Sequence, residues 1–236
     1  MNNKFTNKKV VLPVIHVETE EQAMQNVKIA QDCGADGVFI ISHGYFSGTQ
    51  LFELALKLKR AFNGFWIGVN CLDMPPLDVI STMPLEIDGV WSDNARIDER
   101  IEEHPYSQQI VDMIQKRGWQ GLYFGGVAFK YQRQVENLES AVEKAKPFMN
   151  VICTSGVGTG HAADLTKMAR MKKAAGEFPL AIASGITPVN VTEYLPYIDY
   201  FLVATGINKV GEEMLDTHKT RDLANSIHNY GIAKKF

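Results

Sequence analysis

Short apolar runs recur along the chain, separated by segments of helical period. The runs are Val10–Val17, Gly37–Ser42, Phe65–Asn70, Asp88–Trp91, Gly121–Gly125, Met149–Thr154, Pro179–Ala183 and Tyr200–Ala204. Most are nearly continuous in Val, Ile, Leu and Phe, the pattern of strands covered on both faces. Between them the apolar positions switch to spacings of three and four. Glu20–Cys33 follows a cap candidate, Thr19, and stops before Gly34, while Leu51–Phe62 places Leu51, Leu54, Ala55, Leu58 and Phe62 on one face. Pro105–Arg117 stops at Gly118, Val135–Lys146 at Pro147 and Ala162–Ala175 at Gly176. Pro188 follows Thr187 in an N-cap and N1 arrangement, and a last helix covers Leu215 to Asn229. Alternation of this kind builds a parallel sheet. Eight beats predict an α/β protein closed into a (β/α)₈ barrel, the TIM-barrel architecture, rather than an open doubly wound sheet.

Length agrees with that reading, since 236 residues is near the roughly 250 typical of one such barrel. No long Gly/Ser/Pro linker divides residues 1–236, so one domain is expected. The formal net charge of −3 and the absence of a basic stripe give no reason to expect nucleic acid, and the tail Ala233-Lys234-Lys235-Phe236 is too short to change this. No apolar run approaches the roughly 20 residues of a membrane span, and Met1 to Lys9 is polar, without a signal-peptide core. Cys33, Cys71 and Cys153 are scattered without metal-type spacing, as in a chain kept in a reducing cytoplasm. Association into a homo-oligomer is left open.

The most informative stretch lies between Val151 and Asn208. It holds Thr154-Ser155-Gly156-Val157-Gly158-Thr159-Gly160, then Ala183-Ser184-Gly185-Ile186-Thr187-Pro188, then Ala204-Thr205-Gly206-Ile207. In barrels the loops after strands 7 and 8 often bind phosphate through backbone N–H groups. Glycine allows that close approach, and hydroxyls at Ser184 and Thr205 add donors. Gly185 and Gly206 therefore mark an expected anion site, with Gly158 and Gly160 as further contributors. The alternative is that these glycines only close tight turns.

These segments, together with Gly68-Val69-Asn70, Ser184 through Val191, Tyr194-Leu195-Pro196 and Phe201-Leu202-Val203-Ala204-Thr205-Gly206, resemble the BtpA family. The likeness is most specific in the last third of the chain. It implies a phosphate-binding-type barrel and leaves the reaction open; the family's name derives from photosystem I biogenesis. It also implies a lysine in the strand 5 loop, which Lys130 in Ala128-Phe129-Lys130 matches. The family's Glu-Asn-Phe-Gly pattern after strand 2 is replaced here by Ser42-His43-Gly44-Tyr45, and Ser92-Asp93-Asn94-Ala95-Arg96 also departs from the family pattern. A resemblance to phosphoribosylanthranilate isomerase is confined to the late loops. Strand 1 reads Pro13-Val14-Ile15-His16, without that enzyme's Lys-x-Cys-Gly signature.

Candidate chemistry lies at or just past the strand ends, where a barrel aims side chains at a ligand. Asp93 is the first choice for a general acid or base, and Lys130 for neutralising a phosphate or enolate or for forming an imine. A helix cap and a solvated loop lysine are the plainer alternatives. His16 and His43 come from adjacent strand ends and form a candidate proton-transfer pair or, with Glu18 and Asp73, a candidate metal-ligand set. Glu18 and Asp73 lie near them in sequence order, but no close metal motif is present, so neither metal nor cofactor is assigned. Tyr45 and Phe46 read as packing residues rather than as a cover over a ring or sugar; His161 either borders the anion or starts a helix, and His104, His218 and His228 receive no role.

The leading functional reading is an isomerase- or lyase-type enzyme acting on a small phosphorylated metabolite, of sugar-phosphate or phosphoribosyl type. Asp93 and Lys130 would be its working pair. The rival is a non-catalytic ligand-binding or assembly protein on the same scaffold. An enzyme should gather titratable groups with shifted pKa values around the anion, whereas a binding protein need not.

Overall fold

The computed structural model describes Phe5 and residues 9–230; most of the Met1–Lys9 segment and the Ala233–Phe236 tail lie outside them. Strands and helices alternate as β1 (Val10–Val17), α1 (Glu20–Asp32), β2 (Gly37–Ser42), α2 (Gly48–Ala61), β3 (Trp66–Asn70), α3 (Pro76–Thr82), β4 (Gly89–Ser92) and α4 (Pro105–Arg117). They continue as β5 (Leu122–Gly126), α5 (Leu138–Ala145), β6 (Val151–Ser155), α6 (Leu165–Ala175), β7 (Leu180–Ala183), α7 (Val191–Tyr194), β8 (Tyr200–Val203) and α8 (Thr217–His228). All eight strands are parallel and close in the order β1 to β8. Closure is made by β1 on β8, with Val10 opposite Tyr200 and Pro13 opposite Val203. The expected barrel, and the pairing of its first and last strands, are both present.

Side chains alternate across each strand, and that alternation separates two cores. Val11, Ile15 and Val17 of β1 pack outward beneath the helices, with Leu51, Leu58, Ile80, Met168 and Leu223. Val10, Leu12 and Val14 pack inward, with Phe39, Trp66, Trp91 and Phe124. Phe39 on β2 and Phe124 on β5 are not on neighbouring strands, yet their rings stand 5.2 Å apart, edge to face. They meet only because both fill the barrel interior. The inward positions of β7 are small, Ala181 and Ala183, so the bulk of β2 to β5 crosses toward that side. Space is left at the mouth above β7 and β8.

Helix starts differ from the periodicity in an instructive way. α5 begins at Leu138 rather than Val135 because Asn137 accepts from the Ser140 N–H at 3.0 Å. α6 begins at Leu165 rather than Ala162, capped by Asp164, and α8 at Thr217 rather than Leu215, capped by Asp216. A side-chain oxygen that satisfies the first free N–H groups decides where a helix begins. Pro188 is not a first helical residue. Asn190 accepts from Thr187 N at 2.8 Å and donates to Gly185 O at 2.8 Å, tying the preceding residues into a turn, and α7 starts after it. α3, seven residues long, is too short to have shown a period.

The capping box of α2 offers a local test. Ser47 Oγ accepts from Gln50 N at 3.4 Å, and Gln50 Oε1 accepts from Ser47 N at 2.9 Å. Ser47→Ala is expected to lower the unfolding free energy by about 1 kcal/mol, read as a shift of the urea midpoint at constant slope.

Candidate active site

The inward row of several strands, continued by two residues, runs into the mouth. On β1 it passes from Leu12 and Val14 to His16, on β2 from Phe39 and Ile41 to His43, and on β4 from Trp91 to Asp93. On β7 it passes from Ala181 and Ala183 to Gly185, and on β8 from Leu202 and Ala204 to Gly206. His16, His43, Asp93, Ser184, Gly185, Thr205 and Gly206 accordingly line one cavity of about 510 Å³, joined from the loops by Lys130, Gly160 and Glu213. Trp91, Ile41 and Leu202 form part of its apolar lining. Gly158 lies outside this lining; its carbonyl accepts from His161 N at 3.2 Å within the β6–α6 loop.

Asp93 accepts at Oδ1 from Asn70 Nδ2 at 3.0 Å, and its main-chain carbonyl accepts from Gln132. Burial raises its carboxyl pKa; the Asn70 hydrogen bond and the charge of Lys130 oppose that rise without cancelling it. Lys130 Nζ donates to Thr159 Oγ1 and Ser184 Oγ, both at 3.2 Å, so its ammonium stands against the β7 turn. Its own N–H is held by Ser155 Oγ at 2.8 Å. Three non-glycine residues around this ammonium have left-handed backbone, Ala128 (φ 50°), Tyr131 (φ 60°) and Ser184 (φ 77°). Such conformations carry strain and gather at sites where position matters more than local stability.

The two late turns differ in construction. Ser184 and Gly185 are left-handed in succession, at φ 77° and 73°, and a side chain at Gly185 would run into the backbone of Ala162. Thr205 and Gly206 are the central residues of a turn closed by Ile207 N–H on Ala204 O at 2.9 Å, so that bond uses neither of their N–H groups. A Cβ at Gly206 would strike the carbonyl oxygen of Ile186. The second turn is thus packed directly on the first.

Opposite Lys130, His16 Nδ1 is 2.9 Å from Glu213 Oε2, and the His16 and His43 rings are 5.2 Å apart. Glu213 comes from the loop before α8; it carries no periodicity or motif and lies 197 residues from His16, so sequence gave no signal for it. Lys167 was equally illegible. Its ammonium donates to the carbonyls of Ala128 and Ser155 at 2.6 and 2.7 Å, bracing the Lys130 loop, and burial pulls its pKa down to about 8.

Other candidates are committed elsewhere. Asp73 accepts from Ser42 Oγ at 3.1 Å and Gly48 N at 3.0 Å, tying two loops together. Cys153 is fully buried beneath Asp93, its thiol pushed well up by burial first and by the carboxylate second. Tyr45 is exposed, whereas Phe46 packs against the core. Among the described residues no group of three or more His, Cys, Asp or Glu side chains gathers to hold a metal ion. Nor is any helix among them long and apolar enough to cross a membrane.

Known proteins place this barrel in context. No curated protein matches the chain by sequence. A tryptophan synthase alpha chain from Legionella pneumophila superposes with a TM-score of 0.68 at 13% identity, covering 95% of this chain and 93% of that one. A (S)-3-O-geranylgeranylglyceryl phosphate synthase from Thermoplasma acidophilum, solved with its substrate sn-glycerol-1-phosphate, gives 0.67 at 12% identity, with 94% of each chain covered. A phosphoribosyl anthranilate isomerase from Thermus thermophilus gives 0.61 at 16% identity, covering 92% of this chain and 97% of the other. At such identities the likeness concerns the fold. The sequence pattern of the BtpA family is matched over residues 123–229, the part that carries Lys130 and both late turns. Residues 123–229, from β5 to the end of α8, are thus similar to the BtpA family.

Proposed function

We propose that the protein is an enzyme acting on a small phosphorylated metabolite, of sugar-phosphate or phosphoribosyl type, by isomerase- or lyase-like acid–base chemistry. One observation carries the reading: Asp93 and Lys130 line the same cavity as the turns at Ser184-Gly185 and Thr205-Gly206. In this reading the turns hold the phosphate through backbone N–H groups and the two hydroxyls, with Gly160 at their edge. Lys130, already against Ser184, balances the phosphate or a neighbouring enolate. Asp93 takes a proton from a hydroxyl-bearing carbon next to a carbonyl, and the electron pair moves to the carbonyl oxygen, which receives the hydroxyl's proton. Asp93 then returns its proton to the former carbonyl carbon as the other oxygen becomes the carbonyl, completing an isomerisation. A carboxyl whose pKa is raised by burial is a better acceptor for such a proton than one in water.

The fold neighbours support this reading to the extent that one of them was solved with a glycerol phosphate. The test is a thermal-shift panel of phosphorylated metabolites, each hit followed by an assay for turnover. A ligand at a hundred times its Kd adds about 2.7 kcal/mol to stability and visibly raises the midpoint. A panel with no responder would overturn the phosphate site. Binding without turnover would favour the non-catalytic scaffold instead.

A further inference from the structure

We infer that Glu213 is a positioning residue for His16, holding the imidazole proton on Nδ1 so that Nε2 is the nitrogen left to accept a proton. Any part His16 plays in turnover rests on the function proposed above, but the tautomer itself does not.

The argument begins with the loop before α8. Asn208 and Leu215 form an isolated antiparallel bridge, with Lys209 N on Met214 O and Asp216 N on Ile207 O, both at 2.8 Å. These bonds fold residues 207–216 into a short hairpin. Its returning limb is pinned to α1: Gln22 Nε2 and Asn26 Nδ2 donate to the Glu213 main-chain carbonyl at 2.6 and 2.9 Å, and Asn26 Oδ1 accepts from Leu215 N at 2.8 Å. Asn26 is buried, so both ends of its amide are spent on this one limb. The backbone of Glu213 is therefore fixed before its side chain does anything.

That side chain then reaches two partners with one oxygen. Oε2 accepts from Asn208 Nδ2 at 2.9 Å and stands 2.9 Å from His16 Nδ1. An amide nitrogen only donates, and an ionised carboxylate has no proton to give, so the hydrogen between Oε2 and Nδ1 belongs to the imidazole. The bond made by one ring nitrogen sets the role of the other. His43, the neighbouring ring at 5.2 Å, has no carboxylate within ion-pair distance among the described residues. Of the two histidines on this wall, only His16 has its tautomer set from behind.

The experiment is nitrogen-15 NMR of the imidazole rings in the full chain at a pH where they are neutral, with His16→Gln used to assign the His16 signals. The Nδ1–H form should predominate at His16 in the wild type. Glu213→Met keeps the length of the side chain and the main-chain carbonyl that anchors the loop, and should lower the ratio of Nδ1–H to Nε2–H at His16 by about tenfold or more. A wild type with predominantly Nε2–H at His16 overturns the inference whether or not any variant folds. An unchanged ratio in folded Glu213→Met protein overturns it as well. A parallel titration of the wild type with inorganic phosphate separates the two readings, because failure to bind there counts against the proposed function while the tautomer still decides the role of Glu213.

Discussion

Asp93→Asn is expected to reduce turnover of an identified substrate by about a hundredfold or more while leaving the affinity for inorganic phosphate unchanged. The amide keeps the shape of the carboxyl and retains an oxygen for the Asn70 Nδ2 hydrogen bond, so the cavity stays formed and only the proton acceptor is lost. The same variant has a second expected effect, on stability. Burial is the largest influence on the Asp93 carboxyl, and the folded pKa lies above the unfolded one. As pH rises from below both values, the unfolded state releases its proton first. Stability falls through that window, and the deficit persists at neutral pH. An amide does not titrate there. The variant should therefore melt higher than the wild type at pH 7, and that advantage should disappear below about pH 3, under the ordinary aspartate value. Full activity in the variant would remove Asp93 from the mechanism. A variant less stable than the wild type at pH 7 would mean that the carboxylate is satisfied in the fold rather than strained by it.

Gly206→Val is expected to weaken phosphate binding by at least about tenfold, equivalent to 1.4 kcal/mol, measured by calorimetry on protein shown to be folded. The new Cβ would collide with the Ile186 carbonyl oxygen, which belongs to the turn after β7. One substitution thus pushes the two halves of the proposed anion cradle apart. Because a backbone carbonyl cannot swing away as a flexible side chain would, part of the strain will also appear as lost stability. Thr205→Val separates the two effects. It removes a hydroxyl from the same turn while keeping its shape, and should lower phosphate affinity with little change in the unfolding midpoint. Unaltered affinity in both variants would leave the β8 turn a structural corner and nothing more.

The barrel was legible in the chain because parallel strands buried on both faces must be apolar throughout, and helices laid over them must be apolar on one stripe. Periodicity reports both requirements directly. The BtpA-like segments were legible for a related reason: turns such as those at Gly185 and Gly206 admit few residue types. Asp93, Lys130, His16 and His43 could be picked out because they lie at or just past strand ends, and the end of a strand is a local property of sequence. Helix starts such as Leu138 and Leu165 were less so, since a capping side chain decides them and periodicity does not register caps.

Only the tertiary structure decided which of those polar groups share a cavity and what each one faces. Asp73 follows a strand as Asp93 does, yet it is spent on Ser42 and Gly48 while Asp93 lines the mouth. Glu213 and Lys167 belong to no motif. They reach His16 and the Lys130 loop through a hairpin pinned by Asn26 and through two backbone carbonyls. Barrel closure sets these meetings, bringing β1 beside β8 and the last loop over the first strand. A pattern along the chain records what each residue needs from its surroundings, burial or water. Which residue supplies it, at 2.9 Å and across 197 positions, is set by closure and packing in three dimensions.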